Sequence, residues 1–444
     1  MKKVAIIVDD VVRDLLPLSL LALELRKKNI LPFLVPSRIQ IFEIKTIKPE
    51  VIIINYLRKE NEAIVELYKK AGIDIFLLDQ EGGAFKSFDF YQNTKISDKE
   101  EIKKLISGVF NWSEELHKES LKREWFDKNQ NILTGHPKYD IYFKSNKNTQ
   151  PSRKNRVLLL TSFTLANPRL SSKESEVNTW SSTGGKRKDI EQMQSQQVKS
   201  FNIYLNEMEK VFLENEDKIF SIKVHPFESP EPYLKRFNEL KNVAIYSELH
   251  LHTLLDNHCV AFHISSTTSI ECILENVVPI NLAFLKNPID IKLLNEISAN
   301  CETIEDFRNT ISNLDNVLNT YSFEESRKIL DDYFGTLDGL AAVRISEYLN
   351  SYLNEKKVLK DINYKYITRH NLEENRFKKV FLILISWSNS LSKISFFNFT
   401  SQIKLWKKSI KYFDSAIVKS YCKDLNLDSN RFSDYKNSNS VITN

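Results

Sequence analysis

The feature that most constrains the fold is a regular alternation of short, wholly apolar runs with longer amphipathic segments. Runs that are apolar on both faces are typical of parallel strands covered by helices on both sides. Residues 1–140 therefore predict one doubly wound α/β domain with a parallel sheet. Its runs are VAIIV from Val4, ILPFLVP from Ile30, VIIINY from Val51, DIFLLD from Asp74, GVFNW from Gly108 and NILTG from Asn131.

The alternation begins again after a polar connector, KSNKNTQPSRKN. We expect a second sheet of the same kind, complete by about Phe284 and followed by helices to Leu353. The Ser/Lys-rich residues 169–189 lack an apolar period and are predicted to form a mobile loop. The second set of runs is VLLLTSF from Val157, FSIKVHP from Phe220, VAIYS from Val243, VAFHIS from Val260 and VPINLAF from Val278.

These patterns predict two Rossmann-like domains that face each other across a cleft. The predicted domains are residues 1–145 and 146–353, followed by a basic, aromatic helical tail at 354–425 and a disordered end at 426–444. Ligands of open α/β sheets bind at the carboxyl ends of the strands. We therefore expect the functional residues at or just after strand ends.

Composition limits the classes of function. The chain has 444 residues, a net charge of +5 and 4 cysteines without C-x-x-C spacing, which fits a reducing cytosol. Charged residues interrupt the first apolar run too early for a signal peptide or an anchor. The histidines around Cys259 suggest zinc, but that stretch has the pattern of a helix running into a buried strand. We expect a cytoplasmic protein without a metal and without a nucleic-acid partner.

The tail carries the charge asymmetry of the chain. Between Lys356 and Ser420 there are 14 Lys and Arg against 4 Asp and Glu. A basic helical hairpin within residues 376–420 is predicted to contact the inner-membrane surface or an assembly complex, because anionic lipids attract Lys and aromatic rings lie at headgroup depth. The alternative is a small helical subdomain that packs back on the cleft. The aromatic residues are Trp387, Phe396, Phe397, Trp406 and Phe413.

A carboxylate followed by two glycines ends the run DIFLLD, in the segment LLDQEGGAFKSF (Leu77–Phe88). The whole chain contains only 9 glycines, so a consecutive pair marks a backbone that turns sharply or lies close to a ligand. Gly82 and Gly83 are predicted to turn beneath Glu81. A carboxylate so placed can accept a proton from a hydroxyl or give one to a leaving group. The alternative is a Glu that lies in a Gly-rich turn without a chemical role.

Two further constellations follow strands of the second domain. In IKVHPFE, Pro226 ends the strand and holds His225 at the carboxyl end of that strand. There the imidazole can donate a hydrogen bond to a phosphate or a carboxylate. In FHISSTTSIE, a strand delivers the hydroxyls of residues 265–267 to a helix start, and Glu271 lies one turn further on. Such a helix start binds anions, and the carboxylate can hold ribose hydroxyls. The alternatives are a structural His and an N-cap run with capping-box spacing.

Two more charged residues occupy expected cleft positions. Asp140 ends the segment TGHPKYD at the crossing between the domains, and its alternative role is to cap the next helix. Arg13 follows the first strand and is positioned to pair with a donor or acceptor carboxylate, with an ordinary surface Arg as the alternative.

Together these motifs resemble the bacterial surface-carbohydrate biosynthesis proteins, which are GT-B-fold glycosyltransferases related to the Kdo, sialic acid and polysialic acid transferases. The resemblance runs from the first strand to about Leu353. The matching elements are the acidic element Asp79, Gln80, Glu81 and Gly82, the segment VFNWS at Val109–Ser113, the TG-x-P-x-x-D segment at Thr134–Asp140, the HP motif at His225 and Pro226, and the S/T motif at Ser265, Ser266 and Thr267.

The resemblance implies transfer of a 2-keto acid sugar from its CMP donor, either CMP-Kdo or a CMP-nonulosonate such as sialic, legionaminic or pseudaminic acid. The acceptor would be a surface polysaccharide or a glycolipid, and no metal would be required. His225 and the hydroxyls of Ser265–Thr267 would hold the phosphate, Glu81 would be the catalytic acid/base and Asp140 the nucleophile of a retaining enzyme. The N-terminal domain would bind the acceptor and the C-terminal domain the donor.

Two departures from the family pattern bear on the substrate: Gln80 replaces an acid, and His136 replaces an Asn. Three alternatives stay open. The CDP-glycerol phosphotransferases share the HP and S/T motifs, nucleotide-sugar 2-epimerases share the two-domain fold and a similar TG junction, and a non-catalytic scaffold of polysaccharide assembly would bind no nucleotide.

Overall fold

A computed structural model describes most of the chain: residues 1–81, 83–144, 155–182, 186–286, 291–355, 362–367, 413–425, 427–436 and 438–444. Its strands are β1 Lys3–Val8, β2 Leu31–Pro36, β3 Val51–Ile54, β4 Asp74–Leu77, β5 Gly108–Asn111, β6 Asn131–Leu133, β7 Arg156–Leu160, β8 Ile219–Lys223, β9 Val243–Tyr246, β10 Val260–His263, β11 Val278–Asn281, β12 Ala299–Asn300, β13 Phe432–Asp434 and β14 Val441–Thr443.

The helices lie mostly between consecutive strands. They are α1 Val11–Lys27, α2 Gln40–Ile47, α3 Glu62–Lys70, α4 Phe88–Lys95, α5 Glu100–Lys103, α6 Glu114–Lys122, α7 Pro137–Lys144, α8 Lys173–Ser182, α9 Arg187–Glu214, α10 Glu231–Phe237, α11 Leu251–Leu255, α12 Thr268–Leu274, α13 Lys292–Glu296, α14 Ile304–Ser312, α15 Leu314–Thr320, α16 Phe323–Phe334, α17 Ala341–Glu355 and α18 Ser415–Asp424.

Two sheets organise the described residues, as the sequence predicts. The first sheet has the order β13-β14-β2-β1-β3-β4-β5-β6, and its strands from β2 to β6 are parallel. The second sheet is parallel throughout, in the order β12-β11-β10-β7-β8-β9. The short edge strand β12 lies beyond Phe284, where the sequence predicted the sheet to be complete. The doubly wound α/β architecture is confirmed.

Helix α1 is the central helix of the first domain. Asp10 caps it by accepting hydrogen bonds from the amides of Val12 and Arg13, and the buried residues from Leu15 to Leu25 pack beneath the sheet. This packing matters for the site, because the N-terminal turn of α1 then lies at the carboxyl end of β1.

Helix α17 crosses from the second domain back to the first. Its buried residues Ala342, Ile345, Leu349 and Leu353 share an apolar core with α1. The predicted domain 146–353 therefore has its last helix on the other domain. The chain passes between the two domains twice, once before β7 and once before α17. The sequence did not predict the second crossing, because the period of a helix does not indicate which sheet the helix packs on.

The predicted disorder of residues 426–444 is wrong for the part of that segment that the structure describes. β13 and β14 form an antiparallel pair, and β14 adds to the edge of β2 with Val441 opposite Leu34. The Glu43 carboxylate accepts hydrogen bonds from the Asn439 amide at 3.1 Å and the Ser440 hydroxyl at 2.7 Å. Short polar strands give no clear sequence pattern, and these strands obtain their partner from the edge of an existing sheet.

Two other expectations on irregular segments are also corrected. Residues 173–182 form helix α8 instead of a mobile loop, and the 28-residue helix α9 begins at Arg187. In the tail, Phe413 is buried in the core that contains α1, together with Val418 and Cys422 of α18. That end of the tail packs on protein, whereas Trp387, Phe396, Phe397 and Trp406 lie outside the described residues. Among the helices described, none has both the length and the apolar content needed to cross a bilayer.

Candidate functional site

Glu81 lies in a cluster of basic side chains at the carboxyl end of β4. Its carboxylate pairs with Arg58, which follows β3, and with Lys95 at the end of α4. A third cation, Arg13 in the first turn of α1, lies 3.7 Å away. Burial opposes ionisation, but Lys95, Arg13 and Arg58 outweigh it and hold the pKa of Glu81 well below its usual range. Glu81 is thus a firmly ionised carboxylate, and this arrangement does not favour it as a proton donor.

Sequence reasoning missed Arg58 and Lys95. Arg58 could have been found, because it follows the apolar run VIIINY at a strand end, where cleft residues are expected. Its guanidinium lies 4.2 Å from the centre of the Tyr56 ring, a cation–π contact that fixes its orientation. Lys95 ends a helix without any local signal, so only the tertiary fold brings it to Glu81.

Gly83 has a packing role beside this cluster. A Cβ atom there would lie 2.7 Å from both Phe334 and Trp112, so any side chain would push them apart. The Trp112 indole N–H donates to the Asp79 carbonyl at 2.6 Å and ties β4 to the end of β5. Gly82 lies outside the described residues, and its predicted role stays a prediction.

Arg13 carries ion pairs to several carboxylates of the first domain. Its Nη2 atom lies 3.0 Å from Asp14 and 3.5 Å from Asp9. Burial opposes its charge, but Asp14, Glu81 and Asp10 outweigh burial and raise its pKa. Arg13 is a half-buried cation with several carboxylate partners, which differs from an ordinary surface Arg.

His225 follows β8, and the structure defines its tautomer. Its Nδ1 atom accepts a hydrogen bond from the Phe227 amide at 3.2 Å, so Nε2 carries the proton and is the donor. Burial lowers its pKa to about 4, with Lys223 and Arg13 acting in the same direction and Asp10 against it. Asp10 and Arg13 belong to the first domain, so charges of that domain act on the pKa of the imidazole. Pro226 is the next residue, as the sequence predicts for a strand end.

A buried network fixes the loops on either side of His225. The Thr161 hydroxyl, after β7, accepts from the His225 amide at 3.0 Å and donates to Glu228 at 3.0 Å. Glu228 also accepts from the Phe163 amide at 2.6 Å and the Tyr233 hydroxyl at 2.7 Å. Burial raises the pKa of Glu228 to about 7. The network holds the strand ends of β7 and β8 in one arrangement.

Lys223, the last residue of β8, is a buried cation that the sequence analysis missed. Its ammonium group donates to the Val224 carbonyl at 3.1 Å. Burial lowers its pKa to about 8, although Asp10 of the first domain acts in the opposite direction. Lys223 and His225 are close enough for the charge of Lys223 to lower the pKa of the imidazole.

The hydroxyl turn after β10 is closed by its own contacts. Ser265 has a positive φ of 43°, which a residue with a side chain rarely adopts, and its amide donates to Asn281 at 3.0 Å. The Ser266 amide donates to Nδ1 of His263 at 3.2 Å, and the Thr268 hydroxyl donates to the Ser266 hydroxyl at 2.8 Å. Thr267 precedes α12 as the sequence predicts. The turn is rigid, and the side chains of residues 265–268 stay partly exposed.

Glu271 is almost fully buried and joins the two domains. The Lys138 ammonium lies 2.5 Å from one carboxylate oxygen, and the Tyr142 hydroxyl donates to the other. Both partners lie on α7, which ends the first domain. Glu271 was predicted to hold ribose hydroxyls. To do so, its carboxylate would have to release Lys138 or Tyr142.

The prediction of Asp140 as a nucleophile does not fit the structure. The side chain is 1% exposed, and its two oxygens accept from the amides of Ala341 at 3.1 Å and Ala342 at 2.7 Å. These are the first amides of α17, so Asp140 caps a helix that lies two hundred residues away in the sequence. Burial raises its pKa to about 6 against these hydrogen bonds. A nucleophile must reach the substrate, and this carboxylate is occupied inside the fold.

Arg13, Arg58 and Lys95 thus surround Glu81 in the first domain, while Lys223 and His225 lie at and just after the end of β8 in the second domain. Asp140 and Glu271 instead make buried contacts where the chain passes between the two domains. Among the described residues, no group of three or more His, Cys, Asp or Glu side chains is arranged to hold a metal ion.

Solved structures of similar architecture define the fold. The S. aureus MnaA–UDP complex has a TM-score of 0.52 at 12% identity, over 80% of this chain and 97% of that chain. The UDP-GlcNAc 2-epimerase of Neisseria meningitidis bound to UDP-GlcNAc has a TM-score of 0.52 at 12% identity, over 79% and 100%. The wall teichoic acid polymerase TagF has a TM-score of 0.48 at 11% identity, over 80% and 89%.

No protein-family model matches this sequence, and no curated protein is significantly similar to it. At 12% identity, a structural likeness establishes the fold. The chain therefore has the GT-B architecture of two Rossmann-like domains, with a helix and a hairpin from its C-terminal segment packed on the first of them.

Proposed function

We propose that this protein is a nucleotide-sugar enzyme of bacterial surface-glycan synthesis. The second domain would hold the nucleotide through His225 and the turn at Ser265–Thr268. The first domain would face the sugar with the cluster around Glu81. The observation that carries the proposal is the group of three cations, Arg13, Arg58 and Lys95, that Glu81 holds together at the carboxyl end of the first parallel sheet.

The chemistry of these groups suits an activated sugar. Cleaving a bond between a sugar and a phosphate requires neutralisation of the negative charge that develops on the leaving nucleotide. Arg13, Lys223 and the neutral His225 N–H supply charge and hydrogen bonds without a metal ion. Glu81 keeps three basic side chains close together, and we assign it this positioning role instead of proton transfer.

The solved structures favour a diphosphate-activated substrate over a CMP-sugar. MnaA was solved with UDP, and the Neisseria epimerase with UDP-GlcNAc. We therefore infer a 2-epimerase-like reaction on a UDP-sugar. A general base takes the C2–H proton while the bond from C1 to the UDP oxygen breaks, which leaves a double bond between C1 and C2. UDP then adds back to C1, a solvent proton adds to the opposite face of C2, and the base returns its proton to solvent. CMP-sugar transfer to a glycan or glycolipid acceptor is the second candidate, favoured by the TGHPKYD, HP and S/T motifs of the sequence.

A thermal-shift screen against UDP, CMP, CDP, GDP and ADP without metal tests the nucleotide site. A ligand at a hundred times its dissociation constant stabilises the fold by about 2.7 kcal/mol, which a melting curve resolves. We expect a shift with UDP that His225→Ala removes and that His117→Ala, a change on α6 away from the cleft, retains. The absence of a shift with every nucleotide would contradict the proposal, and a shift with CMP alone would favour transfer.

Incubation with UDP-GlcNAc in D₂O, without any acceptor, then separates the two reactions. An epimerase incorporates one solvent deuteron at C2, so the mass of the sugar nucleotide rises by one. A transferase leaves the mass unchanged until an acceptor is present.

A further inference from the structure

His136 lies at a position that the proposed function has not yet used. It follows β6 directly after Gly135, whose φ of +78° turns the chain toward α7. The imidazole is 2% exposed and lies against the Trp112 ring, with 3.9 Å between the ring centres and 31° between the planes.

One nitrogen of this ring lacks a partner. Nδ1 accepts a hydrogen bond from the Lys138 amide at 2.9 Å, so the proton of the neutral ring is on Nε2. Nε2 is buried and finds no hydrogen-bond partner among the described residues. A buried N–H without an acceptor costs free energy, and native folds contain few of them. The Trp112 contact requires only an aromatic ring and the Lys138 amide requires only Nδ1, so neither contact uses the Nε2–H group.

The surroundings indicate which kind of group would complete the site. Burial lowers the pKa of His136 well below its usual range, and the positive charges of Lys138 and Arg13 act in the same direction. The ring is therefore a neutral donor beside two cations, an environment that suits an acceptor oxygen. The Trp112 ring on which His136 stacks donates to the Asp79 carbonyl and lies against Gly83, so His136 lies next to the segment that carries Glu81.

We propose that His136 is a specificity-determining residue whose Nε2–H donates a hydrogen bond to an acceptor oxygen on the sugar portion of the nucleotide-sugar. The inference rests on the proposed function and extends it to the sugar half of the substrate. Neighbouring side chains must move apart for the sugar to reach Nε2, and rotamer changes of this kind are common on binding. An Asn is shorter and would not place a donor at the same point.

Calorimetric titration of UDP and of UDP-GlcNAc into the wild type, His136→Phe and His136→Gln tests the proposal. Phe keeps the contact with Trp112 and removes the unpartnered N–H, but it also removes the Nδ1 acceptor of the Lys138 amide, so we expect a melting temperature at or slightly below that of the wild type. We expect unchanged UDP affinity and about tenfold weaker UDP-GlcNAc affinity in His136→Phe. Gln carries an amide donor of similar reach and restores part of the loss, and His117→Phe serves as the matched control with no change.

Each result decides a separate question. If the wild type binds neither ligand, the proposed function fails, and this inference fails with it. If the wild type binds and the ratio of the two affinities is the same in His136→Phe, the proposed function stands but His136 does not touch the sugar. A loss of UDP affinity equal to that of UDP-GlcNAc would assign His136 to the nucleotide and overturn the proposal. If His136→Phe fails to fold, the affinity ratio in His136→Gln, compared with that in His136→Asn, decides in the same way.

Discussion

Single carboxylates at the cleft have opposite environments, and the environment decides what each can do. Glu81 is surrounded by Lys95, Arg13 and Arg58 and stays ionised. Asp140 lies in the protein interior, where two backbone amides and the charge of Lys144 offset only part of the cost of burial. Both residues stand in motifs at strand ends, so their sequence context is similar. Their roles differ because the tertiary fold supplies cations to one and a helix terminus to the other.

Asp140→Asn tests the capping role through pH. The pKa of Asp140 is raised from 3.8 to about 6, so folding favours its protonated form. Its contribution to stability is full below pH 4 and is lost as the pH rises through about 6. We expect Asp140→Asn, which does not titrate, to lose about 1 kcal/mol as a cap at low pH and to lose less, relative to the wild type, at pH 7.

Melting temperatures of the two proteins between pH 4.5 and 7.5 measure this difference. A difference that stays constant across the range would contradict the raised pKa. If Asp140→Asn has wild-type stability but no turnover of the substrate, Asp140 acts as a nucleophile and not as a helix cap.

At the scale of elements, the C-terminal hairpin of β13 and β14 completes the first sheet. β14 covers the edge of β2, and Glu43 of α2 binds the turn that joins the two strands. An uncovered edge strand is a template for unwanted pairing, so the hairpin also protects the sheet. The chain end is therefore part of the first domain.

Val441→Asp tests the role of the hairpin in stability. Val441 is fully buried against the core that contains α1. An aspartate there places a charge in an apolar environment, and we expect a loss of about 3 kcal/mol in the free energy of unfolding. Urea unfolding measures the loss, with Lys436→Asp in the exposed turn as the matched control. Equal stability of the two variants would show that the segment does not contribute to the fold.

At the scale of the whole molecule, the two domains are joined by buried polar contacts as well as by the chain. Glu271 of α12 contacts Lys138 and Tyr142 of α7, and Asp140 of the same helix caps α17 as that helix returns to the first domain. Helix α7 is thus the element through which both crossings are fixed. An apolar core that includes Tyr139 and Tyr142 continues into the second domain through Ile270 and Cys272 of α12.

Lys138→Met tests how far this contact holds the domains together. Removing one partner leaves the Glu271 carboxylate buried with less compensation, so we expect a loss of about 3 kcal/mol. The control is Lys118→Met, which removes exposed ion pairs to Glu114 and Glu115 and should cost less than about 1 kcal/mol. Thermal unfolding followed by circular dichroism compares the two. A loss in Lys138→Met no larger than in the control would show that the domains do not depend on this pair.

The sequence by itself determined the two parallel sheets and the strand ends where His225, Glu81 and Arg13 lie. Apolar runs and helical periods can be read from the sequence because each strand and each helix must bury apolar side chains against the layer beside it. The turn at Ser265–Thr267 was located for the same reason, since hydroxyl residues after a strand mark a helix start.

Only the tertiary structure decided which partners these residues have. It brought Lys95 to Glu81, occupied Asp140 with α17, buried Glu271 between the domains and gave β13 and β14 a place in the first sheet. Each of these contacts joins segments that are separated in the chain, and a residue's local pattern is the same whether or not a distant partner is present. Charge, burial and pKa at the site depend on those partners, so they follow from the fold and not from the pattern.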